Sequence, residues 1–296
     1  MIRFAILMLF AANAYAAEST VDIDTAARVY QDAAMREQVR ASLGAMPEHI
    51  RQLFATDTST KLTESQLAAV TAAATRGFRI DVFEAPALQA FAAHLDGATV
   101  TKTEVFLTSD LGKRMVSADI ALAQFGEGNI DKVMSGQITA PSTPKRDAIV
   151  ERLERATRST ESTVEIFLSM GQAVAVGTAI GSGMDPVAVG DRAHQSGESS
   201  RPGLEENMRL PMRRFMAYGY RDLSDEDLKR VLAFMESPAG KHYVAAYNAC
   251  MGAGFDAMGR RTGEQLGEAL REMAQADAGP PPMLAPSAPP PTPTPE

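Results

Sequence analysis

The residues whose types and spacing most suggest a chemical role are methionines spaced four positions apart. The chain contains 16 methionines, and Met208, Met212 and Met216 fall on one face of a predicted helix. Thioether sulfurs bind Cu(I), and His242 and Cys250 offer further ligands. Neither a tight methionine cluster nor a histidine-rich tract accompanies this stripe, and methionine is also an adaptable filler of cores. The pattern therefore favours core packing over a copper site.

Side chains that commonly carry catalysis show no local arrangement that supports it. The four histidines, His49, His94, His194 and His242, are scattered, and none stands in HExxH, CxxC or GxSxG. Gly-Lys at residues 240–241 lacks the other positions of a phosphate-binding loop. Acidic residues are abundant, but distances between carboxylates are invisible in a sequence, so glycan hydrolysis stays open. We predict no catalytic, cofactor-binding or metal-binding residue.

The first 16 residues predict export. Arg3 precedes an apolar stretch, and Ala14-Tyr15-Ala16 has the small-x-small pattern of a signal cleavage site. We expect a mature chain from Ala17, with a periplasmic or secreted location and no stable membrane span after cleavage. The net charge of −8 becomes −9 without Arg3, which argues against a nucleic-acid partner. Cys250 is the only cysteine, so we expect a buried thiol without an intrachain disulfide.

The segments that position these residues are predicted to be helices. Alanine, leucine, methionine, glutamate, glutamine and arginine are abundant, and short alternating runs with hairpin turns are absent from the sequence. The predicted fold class is all-α. The predicted helices are residues 25–43, 47–55, 63–77, 86–95, 101–107, 109–125, 145–179, 204–220, 224–235 and 237–276.

One corner between two predicted helices occurs twice along the chain. Ser237-Pro238 starts a helix directly after another helix ends, since serine is a preferred cap and proline is tolerated in the first turn. Residues 106–113 align with residues 234–241 at a constant offset of 128 positions. The structural motif residues of the two copies are Phe106, Ser109, Gly112, Phe234, Ser237, Pro238 and Gly240. The match predicts two related helical units, residues 17–140 and 145–278.

Residues 220–241 resemble the signature of a bacterial domain-of-unknown-function family, "twenty fifty-nine". The resemblance consists of an acidic helix start, an apolar helix ending in Phe234, and Ser-Pro-Ala-Gly-Lys at residues 237–241. Met235 stands where an aromatic residue is common, and Asp110 replaces the proline in the first copy. The resemblance implies an exported helical domain and carries over no catalytic residue.

Two further stretches predict helix contacts. Residues 166–184 contain no charged side chain and are predicted to form a buried central helix rather than a membrane span. Gly259, Gly263 and Gly267 recur every four residues, which predicts a close helix contact, within the chain in preference to a homodimer.

Two low-complexity stretches predict irregular structure. The glycine- and serine-rich residues 181–203 predict a long flexible connection. Residues 279–296 are mostly proline with alanine, serine and threonine, and predict an extended, disordered tail.

The combination of export, capping motifs and a missing catalytic signature predicts a non-enzymatic module. We expect it to bind an unidentified protein or envelope partner, or to serve as a scaffold in the cell envelope. A periplasmic carrier of a small apolar ligand is the alternative, for which a cavity of several hundred Å3 is required, about the usual size of such pockets. An envelope hydrolase is the third possibility.

Overall fold

The computed structural model describes residues 21–44, 51 and 63–277, and in that part of the chain the regular elements are helices without a β-strand. The predicted all-α class is confirmed. The helices are α1 (Ile23–Asp32), α2 (Met35–Leu43), α3 (Glu64–Gly77), α4 (Ile80–His94), α5 (Gly97–Thr108), α6 (Asp110–Ala123), α7 (Glu127–Ser135), α8 (Pro144–Thr157), α9 (Ser159–Ser182), α10 (Pro186–Gly219), α11 (Asp225–Glu236) and α12 (Pro238–Asp277). The predicted signal segment, the proline-rich tail and nearly all of the predicted helix 47–55 lie outside the described residues.

The corner between α5 and α6 has the same local geometry as the corner between α11 and α12. Ser109 and Ser237 are both extended, with φ −66°, ψ 159° and φ −68°, ψ 159°. Their hydroxyl oxygens accept the backbone N–H of Gly112 at 3.1 Å and of Gly240 at 3.0 Å. A Cβ on either glycine would overlap a carbonyl oxygen of the preceding helix. Serine and glycine therefore make the tight turn possible in both copies.

The two corners pack on each other through their phenylalanines. The rings of Phe106 and Phe234 are stacked, with centroids 4.0 Å apart and planes 6° from parallel. Each corner is also supported by an earlier helix, because α1 packs on α5 and α8 packs on α11. The repeated segments thus meet at equivalent surfaces.

Reciprocal polar contacts join the same two corners. The guanidinium of Arg114 donates to both carboxylate oxygens of Asp227, at 3.0 and 2.9 Å, and these bonds hold the pKa of Asp227 at about 2. His242, which occupies the position equivalent to Arg114, places its Nδ1 3.1 Å from Oδ2 of Asp96. The two donors are equivalent in the repeat, whereas the acceptors are three positions apart in it, since Asp96 corresponds to Ser224 and Asp227 to Thr99. The exchange resembles a two-fold interface, here approximate and within one chain.

The two predicted units share one hydrophobic cluster. Val29 and Phe91 of the first unit and Val231 and Met258 of the second are fully buried in it. Cys250 is buried there as predicted, and burial raises the pKa of its thiol to about 12. The helices of both units therefore depend on a common core.

The predicted glycine contact is confirmed as a contact within the chain, between α9 and α12. A Cβ on Gly263 would overlap the carbonyl oxygen of Val174, and a Cβ on Gly267 would overlap that of Thr178. Gly177 of α9 lies equally close to the backbone of α12. This helix pair is the most extensive one in the described part of the chain.

Helix α9 is buried on one side rather than on all sides, which corrects the prediction of a buried central helix. It is long and apolar enough to cross a membrane by length and composition, and 28% of its most apolar window is buried. Phe167 is 60% exposed and Ile180 is 45% exposed. The reason is that α12 and α10 each cover one stripe of α9, and no other described helix covers the remaining face extensively.

The predicted flexible connection at residues 181–203 is wrong, because α10 begins at Pro186 and continues through this stretch. The Asp185 carboxylate caps the helix by accepting two of its first N–H groups. Gly190 lies against the Val176 side chain of α9, and its lack of a side chain allows the two helices to approach closely. Packing outweighs the helix propensity of glycine and serine, which is low in isolated peptides.

Other helix boundaries also differ from the prediction. Residues 145–179 form two helices rather than one, because Arg158 adopts a left-handed conformation with φ +52° between α8 and α9. A positive φ is uncommon for arginine, so its residue type carries no signal of the break. Helix α7 was not predicted, and Pro86 lies inside α4 instead of at its start.

Candidate binding cavity

A cavity of about 480 Å3 lies where helices α2, α6, α9, α10 and α12 meet. Most of its wall is apolar. Five methionines contribute to it, and their flexible side chains suit a wall that adapts to different shapes. These methionines are Met115, Met212, Met216, Met235 and Met251.

The carboxylate of Asp119 is the one ionisable acid or base in the cavity wall, among the described residues, apart from tyrosine hydroxyls. The Tyr220 hydroxyl lies close enough to it to oppose the rise of its pKa, and Tyr243 and Tyr247 are close enough to interact with its charge. Burial raises the pKa of Asp119 to about 7, against the weaker opposing effect of the Tyr220 hydroxyl. Asp119 therefore changes between its neutral and its charged form near neutral pH, which is unusual for a carboxyl group.

The backbone of Tyr220 is positioned by a buried arginine that does not itself line the cavity. Arg146 donates to the carbonyl oxygens of Tyr220 at 2.7 Å and Leu223 at 2.9 Å, and to Oδ1 of Asp225 at 3.1 Å. Its side chain is 11% exposed. It thus ties the end of α10 to the start of α11, and so fixes the place of the Tyr220 backbone.

The internal repeat supplies two parts of the cavity wall. Met115, Val116 and Asp119 of α6 line the cavity, and so do the residues 128 positions later, Tyr243 and Val244 together with Tyr247 of α12. Equivalent faces of the two repeated helices therefore enclose the same space. The substitution of aspartate for tyrosine at one repeat position makes the two faces chemically different.

The structure brings some of the predicted residues to the cavity and places others elsewhere. Met212 and Met216 line it, whereas Phe106 and Phe234 stack at the corners and His242 binds Asp96 outside it. Within the described residues, no group of three or more histidine, cysteine, aspartate or glutamate side chains is arranged to hold a metal ion.

Asp119 is not singled out by the sequence, because it is one of many acidic residues in the chain. One sequence signal could have found it. On α6 it follows Met115 and Val116 by four and three positions and precedes Leu122 by three, so it stands within the apolar stripe.

We expect Asp119→Asn to stabilise the protein increasingly as pH rises. The unfolded carboxyl loses its proton near the ordinary value of 3.8, whereas the folded carboxyl holds it up to about 7. The folded state binds the extra proton in this window, so the wild-type free energy of unfolding falls as pH rises through it. Tyr220, Tyr243 and Tyr247 stay neutral there because burial raises their pKa values. Urea unfolding of both proteins between about pH 4 and pH 8 measures the difference.

The matched control for this experiment is Asp110→Asn, since Asp110 is exposed at the start of the same helix. If the difference in free energy of unfolding between Asp119→Asn and wild type did not change with pH, the raised pKa of Asp119 would be contradicted.

Comparisons with protein-family models, with curated proteins and with solved structures find no match to this chain. The resemblance to the "twenty fifty-nine" family thus depends on the motif residues alone and stays a prediction.

Proposed function

We propose that this protein binds a small, largely apolar molecule in the cavity between α2, α6, α9, α10 and α12. The observation that carries the proposal is the cavity of about 480 Å3. Ligand pockets are typically about 300 to 1,000 Å3, with mainly apolar walls and a few polar groups that orient the ligand. The methionine-rich wall and the single Asp119 carboxylate have this composition.

A carrier or sensor role is better supported here than hydrolysis. Hydrolysis of a glycosidic bond requires two carboxyl groups across the site. Asp119 is the only carboxylate in the wall among the described residues, and His94, His194 and His242 do not contribute to it. The chemistry of this site is therefore recognition of a bound molecule.

The proposal is compatible with the other sequence predictions. If residues 1–16 are a cleaved signal, the carrier acts in the periplasm or outside the cell. A protein-interaction or scaffold role stays a prediction.

We expect Ala123→Phe to reduce the affinity for an apolar probe at least about tenfold. The added ring fills part of the cavity, so the probe loses contacts with the wall that it makes in the wild type. Ala123 lines the cavity at the end of α6. The measurement is titration with the uncharged dye N-phenyl-1-naphthylamine, whose fluorescence increases in apolar surroundings. Saturable binding by the wild type and its loss in the variant are the expected results.

The matched control is Ala121→Phe, because Ala121 is exposed on the same helix and does not line the cavity. Circular dichroism and the melting temperature show whether each variant keeps its fold. Equal dye affinity of folded Ala123→Phe and wild type would place the binding site elsewhere and overturn the proposal.

A further inference from the structure

The charge of Asp119 has no cationic partner among the described residues. Two carboxylates at the start of α11 differ in this respect, since Asp225 pairs with Arg146 at 3.1 Å and Asp227 with Arg114 at 2.9 Å. Asp119 forms no ion pair with any described residue, and no lysine, arginine or histidine of that part of the chain lines the cavity. A half-buried carboxylate without a cation is costly unless something else compensates its charge.

Aromatic rings accompany this carboxylate. Five of them line the cavity: Phe215, Tyr220, Tyr243, Tyr247 and Phe255. The Tyr243 and Tyr247 centroids lie 6.2 Å apart. The face of an aromatic ring attracts a positive charge, and the attraction is larger where water is excluded. A negative group among aromatic rings, in a mostly apolar wall whose other polar side chains are uncharged amides and hydroxyls, favours one sign of ligand charge.

We propose that the ligand is an amphipathic monocation, with an amine or quaternary ammonium head that pairs with Asp119 and an apolar body that contacts the methionine-lined wall. This inference deepens the proposed function and rests on it. An anionic head is disfavoured because the only charge in the described wall is negative. A neutral hydroxyl head donates a hydrogen bond to Asp119 but leaves the carboxylate charge unpaired.

The affinity for such a cation must depend on pH, because only ionised Asp119 forms the pair. The empty protein binds a proton there with a pKa of about 7, which burial raises from the ordinary value. Below that pKa the proton competes with the ligand, so affinity falls by up to about tenfold for each pH unit. Tyr220, Tyr243 and Tyr247 remain neutral over this range, and the wall residues of α2, α7, α8, α9 and α11 carry no titratable group.

The test compares three probes with the same chain and different heads: octyltrimethylammonium, octanol and octanoate. Each displaces N-phenyl-1-naphthylamine from the full-length protein at a pH about one unit above the Asp119 pKa. We expect the ammonium compound to bind at least about tenfold more tightly than octanol, and octanoate to bind most weakly. Lowering the pH to about one and a half units below that pKa should remove most of the preference.

Asp119→Asn should abolish the preference for the cation, because the neutral amide offers no charge to the ammonium head, and octyltrimethylammonium and octanol should then bind with affinities within about threefold of each other. Asp119→Ser is the second variant if the first fails to fold. Asp110→Asn, with its exposed carboxylate on the same helix, should keep the preference, which excludes a general effect of surface charge.

The outcomes separate the two proposals. If octanol and octyltrimethylammonium bind wild type equally, and Ala123→Phe weakens both, the cavity binds ligands but the cation inference is wrong. A preference that survives in both Asp119 variants also overturns the inference. If no probe displaces the dye, or if Ala123→Phe has no effect on any of them, the proposed function itself fails.

Discussion

Replacing Gly263 by alanine is expected to lower the free energy of unfolding by about 3 kcal/mol, which is the upper part of the usual range for overpacking. The alanine Cβ would overlap the carbonyl oxygen of Val174 and lie 2.7 Å from the Thr178 nitrogen. Both atoms belong to the backbone of α9, which cannot rotate away as a side chain does. The two helices must move apart instead. The free energy lost with their contacts exceeds the gain of about 1 kcal/mol from the higher helix propensity of alanine.

The control for this variant lies on the same helix. Gly252 has no atom within 4 Å of the position of a new Cβ. Gly252→Ala should therefore stabilise the protein by up to about 1 kcal/mol, because alanine favours the helix and nothing obstructs it. Thermal and urea unfolding measure both variants. Similar melting temperatures for Gly263→Ala and wild type would show that α9 and α12 do not pack in this register.

Replacing Arg146 by methionine is expected to cost about 3 kcal/mol and to weaken binding in the cavity, since buried acceptors that lose a partner each cost about 1 to 3 kcal/mol. Methionine keeps much of the side-chain volume but donates no hydrogen bond. The carbonyl oxygens of Tyr220 and Leu223 would lose their donor, and Asp225 its partner. Tyr220 would then be held less firmly beside Asp119. Urea unfolding and dye titration measure the two effects.

Arg152→Met provides the comparison, because Arg152 makes a similar cross-helix pair in a different environment. It donates to Glu236 from a side chain that is 55% exposed, and exposed pairs contribute less than about 1 kcal/mol. The dye affinity of Arg152→Met should equal that of wild type. Equal losses of stability in the two arginine variants would mean that burial does not set the contribution of Arg146.

Local chemistry in the sequence was enough to predict the helix corners. Ser109 and Ser237 are followed three positions later by glycine, and capping needs only this short stretch of chain. The equal spacing of Gly259, Gly263 and Gly267 likewise predicted a close helix contact, because only a tight interface offsets three glycines on one helical face. Such features depend on neighbours within one or two turns.

Predictions that depended on propensity alone were less successful. Residues 181–203 looked too rich in glycine and serine for a helix, yet α10 includes most of them because they pack on α9. The break at Arg158 was invisible, since arginine is an ordinary helix residue and its left-handed conformation is imposed by the path of the chain between α8 and α9. Tertiary contacts outweigh local preference at both places.

The sequence by itself determined the helical class, the repeated corners and the glycine stripe, because helix propensity, capping and spacing act between residues close in the chain. Only the tertiary structure decided which partner the glycine stripe meets and that Met212, Met216 and Asp119 surround one cavity. The cavity exists because side chains from helices far apart in sequence leave a space between them. The pKa of Asp119 follows from burial in that space, and burial is a property of the assembled helices rather than of any single segment.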